Sequence, residues 1–108
     1  MKRGTIVTVV IAGAYGKPRP ALVVQSDLFR DHPSVTILPI TTEIREAPLF
    51  RIAVTPTPAN GLIKPSQIMV DKIQTIPVDK AGAVVGSLDE GQMMAVNRSM
   101  ALFLGFAG

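Results

Sequence analysis

A proline-stiffened loop runs directly into a buried β-strand in the stretch Lys17-Pro-Arg-Pro-Ala-Leu-Val-Val-Gln25. Each proline fixes its own φ angle and restricts the residue before it, so the backbone around Arg19 has little freedom. The apolar run after Pro20 predicts a strand at residues 21–25 that is covered on both faces. A guanidinium held at the entrance of such a strand can clamp a phosphate through two parallel hydrogen bonds. An arginine that only lies along the rim of a sheet is the competing interpretation.

Further short strands are predicted on both sides of this stretch. β-branched and alternating apolar residues predict strands at 5–11, which we expect to be central, and at 35–40, 50–55 and 67–76. Pro39 indicates an edge position or a strand end. The apolar phase slips near Asp71-Lys72, which predicts a bulge or a bend. The segments between these strands, and residues 77–85, predict loops and irregular structure.

One helix is predicted after the last of these segments. Ser87 and Glu90 have the spacing of a capping box, and Gly105 predicts the helix end. One apolar face at helical spacing is expected to pack on the sheet: Met93, Val96, Met100 and Phe103. Short strands followed by one helix predict a mainly β protein, a small curled antiparallel sheet or barrel with a C-terminal helix. At 108 residues the chain fits one domain, residues 1–108.

The amino-acid composition indicates the cellular compartment and the kinds of partner that we expect for this protein. The chain is 47% hydrophobic and its mean hydropathy is +0.36, which is rich for so short a chain, so we expect a homodimer. The net charge of +3 suits a phosphate-bearing partner, and cations dominate the first thirty residues. The chain has no cysteine, and no apolar stretch is long enough to span a bilayer, so we expect a cytoplasmic protein without membrane contact.

Several kinds of catalytic site are disfavoured by the residues themselves. His32 is the only histidine, so one subunit cannot supply a paired-histidine ribonuclease site, and we expect this side chain to be exposed. A zinc site of cysteine and histidine cannot form. The eight carboxylates are scattered along the chain, which gives a two-metal nuclease little support. We therefore expect no metal and no cofactor.

A second polar group follows the third predicted strand. The hydroxyls of Thr41 and Thr42 come directly after Leu38-Pro39-Ile40, where they could donate to a phosphate oxygen. A Ser/Thr turn after a strand is the common alternative.

Five stretches, in order, resemble the MazF/PemK family of toxin endoribonucleases. They are Lys2-Arg3-Gly4, Lys17 to Gln25, Pro39-Ile40-Thr41, Ser66 to Thr75 and Gly86-Ser87-Leu88. The resemblance covers nearly the whole chain and implies a fold similar to a small SH3-like barrel of the CcdB and MazF type. It also implies a homodimer and a cognate antitoxin whose tail blocks the RNA groove.

The activity that the resemblance implies is metal-independent cleavage of single-stranded RNA, in a toxin–antitoxin system, at a short sequence. Such cleavage proceeds by attack of the 2′-hydroxyl and leaves 2′,3′-cyclic phosphate and 5′-hydroxyl ends. The catalytic arginine of the family matches Arg19 and its catalytic threonine matches Thr41. Contacts with RNA are predicted for Lys17, Gln25, Thr42 and Lys72. Thr5, Lys72 and Gln74 depart from the family pattern, which bears on the RNA sequence preferred.

Two other functions fit parts of the same pattern. A CcdB-like module that inhibits DNA gyrase would share the barrel, but such modules use a tryptophan near the C-terminus and this chain has none. A catalytically inactive barrel that binds only RNA or an antitoxin is the second alternative.

Overall fold

The computed structural model describes residues 1–11 and 16–106. Within them lie seven strands and one α-helix. The strands are β1 Thr5–Val9, β2 Arg19–Val23, β3 Ser34–Thr41, β4 Arg51–Val54, β5 Ser66–Met69, β6 Gln74–Pro77 and β7 Ala81–Ser87, and the helix is α1 Glu90–Leu104. Single 3₁₀ turns occur at Asp27–Phe29, Val70–Lys72 and Val78–Lys80. No helix in the described part of the chain has both the length and the apolar character needed to cross a membrane.

All described strand pairs are antiparallel and form one curled sheet in the order β4-β5-β3-β2-β1-β7. β6 pairs with the first half of β3, and β5 pairs with its end, so β3 touches three strands. The prediction of a mainly β fold with a C-terminal helix is confirmed. The strand predicted to be central, β1, does have neighbours on both sides.

The sheet buries apolar side chains on both faces. Alternate residues of β1, β2 and β3 point to opposite faces, and the two sets form separate clusters. One cluster includes Ile6, Leu22 and Leu38 and is covered by α1 through Val96. The other, around Val7, Val23 and Ile37, is closed by Ile76 and Ala81. Because each strand has a covered position on both sides, the sequence shows continuous apolar runs instead of strict alternation.

Three strand predictions need correction. Pro39 lies within β3, not at an edge, but it falls where neither β6 nor β5 pairs with β3, so its missing N–H removes no ladder bond on that side. The predicted strand at 67–76 is two strands separated by the 3₁₀ turn Val70–Lys72, at the place where a bend was expected. Residues 77–85 were expected to be irregular, yet β7 pairs with β1 along most of its length.

The predicted helix exists, but it begins later than Ser87, which ends β7. Asp89 is the N-cap, and its carboxylate accepts from the backbone N–H of Gln92 at 2.7 Å, so the capping box is Asp89–Gln92. Gly105 ends the helix in the left-handed conformation, as predicted. Val96 is buried and Met93 and Met100 pack on the core, whereas Phe103 is 47% exposed and meets Phe50 at a ring-centre distance of 6.1 Å.

Candidate functional site

Arg19 and Thr41 lie at adjoining ends of two paired strands. Arg19 is the first residue of β2 and Thr41 the last residue of β3. The antiparallel register pairs Ala21 with Pro39. Continued by two residues, the same register brings positions 19 and 41 opposite each other, with both side chains on one face of the sheet. The sheet therefore places together two side chains that are separated by twenty-one residues of chain.

Both side chains line an open cleft of about 520 Å³. Two of the four predicted RNA contacts, Thr42 and Lys72, line it as well. The remaining lining residues are Ile11, Pro20, Pro39, Ile40, Glu43, Ser66, Met69 and Gln74. Arg19 and Lys72 supply positive charge to the lining, and Thr41, Thr42 and Ser66 supply hydroxyl groups. The cleft has the charge and hydrogen-bond donors that a phosphodiester requires.

A tight turn after β3 fixes the hydroxyl of Thr41. The backbone N–H of Glu43 donates to Thr41 Oγ1 at 3.0 Å. Since the oxygen is already accepting, the hydroxyl proton is available to be donated to a ligand in the cleft. The Ser/Thr turn and the phosphate donor, which the sequence presented as alternatives, are therefore compatible at this residue.

Gln67 holds the far side of the same turn. Its side chain is buried, and its amide accepts from the Arg45 N–H at 3.0 Å and donates to the Arg45 carbonyl oxygen at 2.7 Å. Gln67 is also the partner of Thr41 in the β3–β5 register. The turn is thus tied at both of its ends to neighbouring strands. Neither Gln67 nor Glu43 was singled out from the sequence, where nothing distinguishes them from other polar residues.

An ion pair supports the turn that carries Lys72. Arg51 Nε donates to Asp71 Oδ1 at 2.9 Å, and the two side chains are only 9% and 18% exposed. A second bond joins the same groups at 3.3 Å. The backbone N–H of Val70 donates to the Phe50 carbonyl at 2.9 Å. These contacts tie the 3₁₀ turn to β4, and Lys72 ends that turn exposed at the cleft.

Two of the predicted RNA contacts lie elsewhere. Gln25 is beyond the opposite end of β2, where its side chain bonds to the Phe29 and Ser34 carbonyls and to the Thr36 N–H. The structure therefore does not bring Gln25 to the cleft, and its amide already has backbone partners. Lys17 is exposed two residues before β2 and is outside the described lining.

His32 has the exposed position that was predicted for it. Its Nδ1 accepts from the Ser34 N–H at 3.0 Å, which is a local turn contact. Across residues 1–11 and 16–106, no three histidine, aspartate or glutamate side chains are grouped closely enough to hold a metal ion.

An apolar groove of about 370 Å³ adjoins the cleft. The two share Pro20, Thr42 and Ser66, so a bound chain could pass from one to the other. Leu62 and Ile63 also line the groove, and Ile63 is 90% exposed.

Comparison with known proteins identifies the family. Residues 2–104 match the family described as PemK-like, MazF-like toxin of type II toxin–antitoxin system. A probable endoribonuclease MazF of Mycolicibacterium smegmatis is 47% identical over the whole of both chains. The chain therefore belongs to the PemK-like, MazF-like toxins, and its assignment from sequence to the endoribonuclease toxins is confirmed.

Solved structures agree with this assignment. The Mycobacterium tuberculosis toxin MazF-mt6 superposes with a TM-score of 0.80 at 30% identity, covering 94% of this chain and 96% of that one. An endoribonuclease in complex with its cognate antitoxin, from a mycobacterial species, superposes with a TM-score of 0.82 at 23% identity, over 100% of this chain and 98% of the other. The second likeness bears on the fold alone.

Proposed function

We propose that this toxin cuts single-stranded RNA at a short sequence, by attack of a ribose 2′-hydroxyl on the adjacent phosphorus. The products are a 2′,3′-cyclic phosphate and a 5′-hydroxyl. The observation that carries the proposal is that Arg19 and Thr41 line one cleft from opposed strand ends. The nucleophile belongs to the substrate, so the reaction requires neither a metal-bound water nor an enzyme nucleophile.

Arg19 and Thr41 act on the phosphorane that forms during attack. Its non-bridging oxygens gain negative charge, and fixed donors aimed at them lower the barrier. The guanidinium of Arg19 supplies charge and up to two parallel hydrogen bonds. The hydroxyl of Thr41 donates a hydrogen bond to one phosphoryl oxygen. An arginine is protonated at neutral pH and carries no free acceptor, so Arg19 is assigned no role as a base.

The RNA backbone is held by the remaining polar residues around the cleft. Lys72 and Thr42 contact phosphates or sugars next to the scissile bond, and Lys17 extends the positive surface along the approach to Arg19. Phosphate contacts of this kind position the strand without reading its sequence. The cleavage sequence is read by contacts to bases, for which the adjoining groove with Leu62 and Ile63 offers apolar surface.

Two protein partners complete the proposal. A cognate antitoxin, such as the one bound in the similar mycobacterial structure, covers the cleft and uses the apolar groove beside it. A second copy of the chain covers apolar side chains near the end of α1, where Leu102 is 50% and Phe106 72% exposed. Exposed apolar clusters of this kind are typical of interfaces. We expect the toxin to act in the cytoplasm as a single domain.

The decisive experiment is cleavage of a long single-stranded RNA by purified protein in excess EDTA. The proposal requires cutting by the wild type, cyclic phosphate ends on the upstream fragments, and a loss of about 100-fold or more in Arg19→Ala. Arg19 is exposed, so this variant is expected to fold normally. An intact RNA would identify an inactive binding barrel, and undiminished cutting by Arg19→Ala would place the chemistry elsewhere.

A further inference from the structure

The cleavage reaction needs a group to take the proton from the 2′-hydroxyl. The described lining of the cleft contains two cations, Arg19 and Lys72, which cannot accept a proton while charged. Its hydroxyl and amide groups are very weak bases at neutral pH. Among the described lining residues, Glu43 carries the only carboxylate. A negative charge weakens the attraction between the cleft and a phosphate, so the Glu43 carboxylate does not serve RNA binding. Its position in the lining fits a role in the reaction instead.

We propose that Glu43 is the proton acceptor for the attacking 2′-hydroxyl, an inference that rests on the cleavage reaction proposed above. The Glu43 carboxylate takes the 2′-hydroxyl proton as the new O2′–P bond forms. The P–O5′ bond then breaks, and the departing oxygen keeps its electron pair and receives a proton from solvent. Glu43 returns its proton to solvent, so the enzyme ends the cycle unchanged and no proton is gained or lost overall.

The turn that carries Glu43 is built as a unit with the catalytic threonine. The Glu43 N–H donates to Thr41 Oγ1 at 3.0 Å, so one hydrogen bond separates the Glu43 backbone from a group that holds the phosphate. At Arg45, two residues after Glu43, the buried side-chain amide of Gln67 accepts from the backbone N–H and donates to the backbone carbonyl oxygen. A base must lie within hydrogen-bond reach of the proton that it takes, and these contacts hold the backbone of Glu43 beside the cleft.

The carboxylate is also free to change partners. In this structure Glu43 Oε1 lies 3.1 Å from the Arg45 guanidinium, and the two side chains are 73% and 65% exposed. An ion pair that is so exposed to solvent contributes little to stability. Exchanging it for a hydrogen bond to the ribose therefore costs little free energy. Arg45 serves as a resting partner of the carboxylate before RNA binds.

The test compares Glu43→Gln with Glu46→Gln, which changes a second exposed glutamate of the same loop outside the described cleft lining. Both variants lose one negative charge, so a general electrostatic effect on RNA binding appears in both. Single-turnover cleavage and KM are measured on an RNA that carries the cut site of the wild type. Glu43→Gln is expected to lower the cleavage rate about 100-fold or more with KM within about twofold, and Glu46→Gln to match the wild type.

Chemical rescue separates a base from a residue that only shapes the turn. Added formate is expected to restore cleavage by Glu43→Ala in a concentration-dependent way, because a small carboxylate can occupy the space and accept the proton. Formate is expected to leave Arg19→Ala unimproved. Glu43→Gln cutting at the rate of the wild type, or Glu43→Ala unresponsive to formate, would overturn the role of Glu43 while leaving the proposed reaction intact. A wild type that cuts no RNA would overturn both.

Discussion

Arg19 and Thr41 occupy facing positions in the register of β2 and β3, one where its strand begins and the other where its strand ends. An antiparallel pair must bring the start of one strand to the end of its partner. The site therefore follows from strand pairing, and both side chains lie next to a sheet in which Ala21 and Ile40 are buried. Rigid elements hold a catalytic pair more closely than loops do.

The hydroxyl of Thr41 is predicted to act in the transition state. Thr41→Val keeps the shape of the side chain but removes the donor, and we expect kcat to fall about 100-fold with little change in KM. Thr41→Ser retains the hydroxyl and is expected to stay within about tenfold of the wild type. Steady-state cleavage of a short RNA measures both. A Thr41→Val variant as active as the wild type, or a Thr41→Ser variant as impaired as Thr41→Val, would contradict the role assigned to the hydroxyl.

RNA binding is predicted to weaken with salt through specific lysines. For single-stranded nucleic acid, each phosphate contact contributes about −0.7 to the slope of log K against log salt. Lys72→Gln is expected to reduce the slope by about that amount, measured with an RNA made uncleavable by a 2′-deoxy nucleotide at the cut site. Lys2→Gln changes an exposed lysine outside the cleft and should leave the slope as it was. Identical slopes in the wild type and Lys72→Gln would show that Lys72 makes no contact with an RNA phosphate.

The Arg51–Asp71 pair is predicted to stabilise the fold. Arg51→Met leaves a largely buried carboxylate without its partner, and we expect the free energy of unfolding to fall by about 3 kcal/mol. The exposed Glu43–Arg45 pair is the matched control, since Arg45→Gln should cost less than about 1 kcal/mol. Urea denaturation measures both. The double variant Arg51→Met with Asp71→Leu should recover part of the loss, and a double variant with purely additive losses would contradict the coupling.

Gly61 is predicted to be intolerant of any side chain. It has a φ of +68°, and a Cβ there would lie 2.1 Å from the Val85 carbonyl oxygen. Gly61→Ala is therefore expected to cost at least about 2 kcal/mol of stability. Gly91→Ala, in the first turn of α1 with only an ordinary contact at 3.5 Å, should be neutral or slightly stabilising. Similar thermal unfolding curves for both variants would contradict the close approach of Gly61 to Val85 of β7.

The site could be predicted in part because two of its residues belong to short patterns. Arg19 lies between prolines and Thr41 follows Pro39-Ile40, and both patterns carry the family resemblance. Gln25 belongs to the same stretch as Arg19, but it lies past the other end of β2 and its amide serves three backbone groups. Proximity in sequence did not translate into proximity at the cleft, because an extended strand separates its ends by about 3.3 Å per residue.

Glu43 and Gln67 could not have been found in this way. Glu43 lies in a segment that predicts a polar loop, and Gln67 is the first residue of the strand predicted at 67–76. The placement of both residues depends on the turn after β3 folding back onto β5, a contact between segments 22 residues apart. The strand β7 was missed for a similar reason, since its small residues have weak strand preference and are held by pairing with β1.

The amino-acid sequence alone determined the class of fold, most strand positions and the helix with its glycine stop, because hydrophobic period, proline and glycine act locally. The family followed from the resemblance of five ordered stretches of the sequence. Only the tertiary structure decided which polar residues share a cleft, how β3 divides its pairing between β5 and β6, and where the helix is capped. Those outcomes depend on strand register and on hydrogen bonds between distant segments, whose energies no local pattern records.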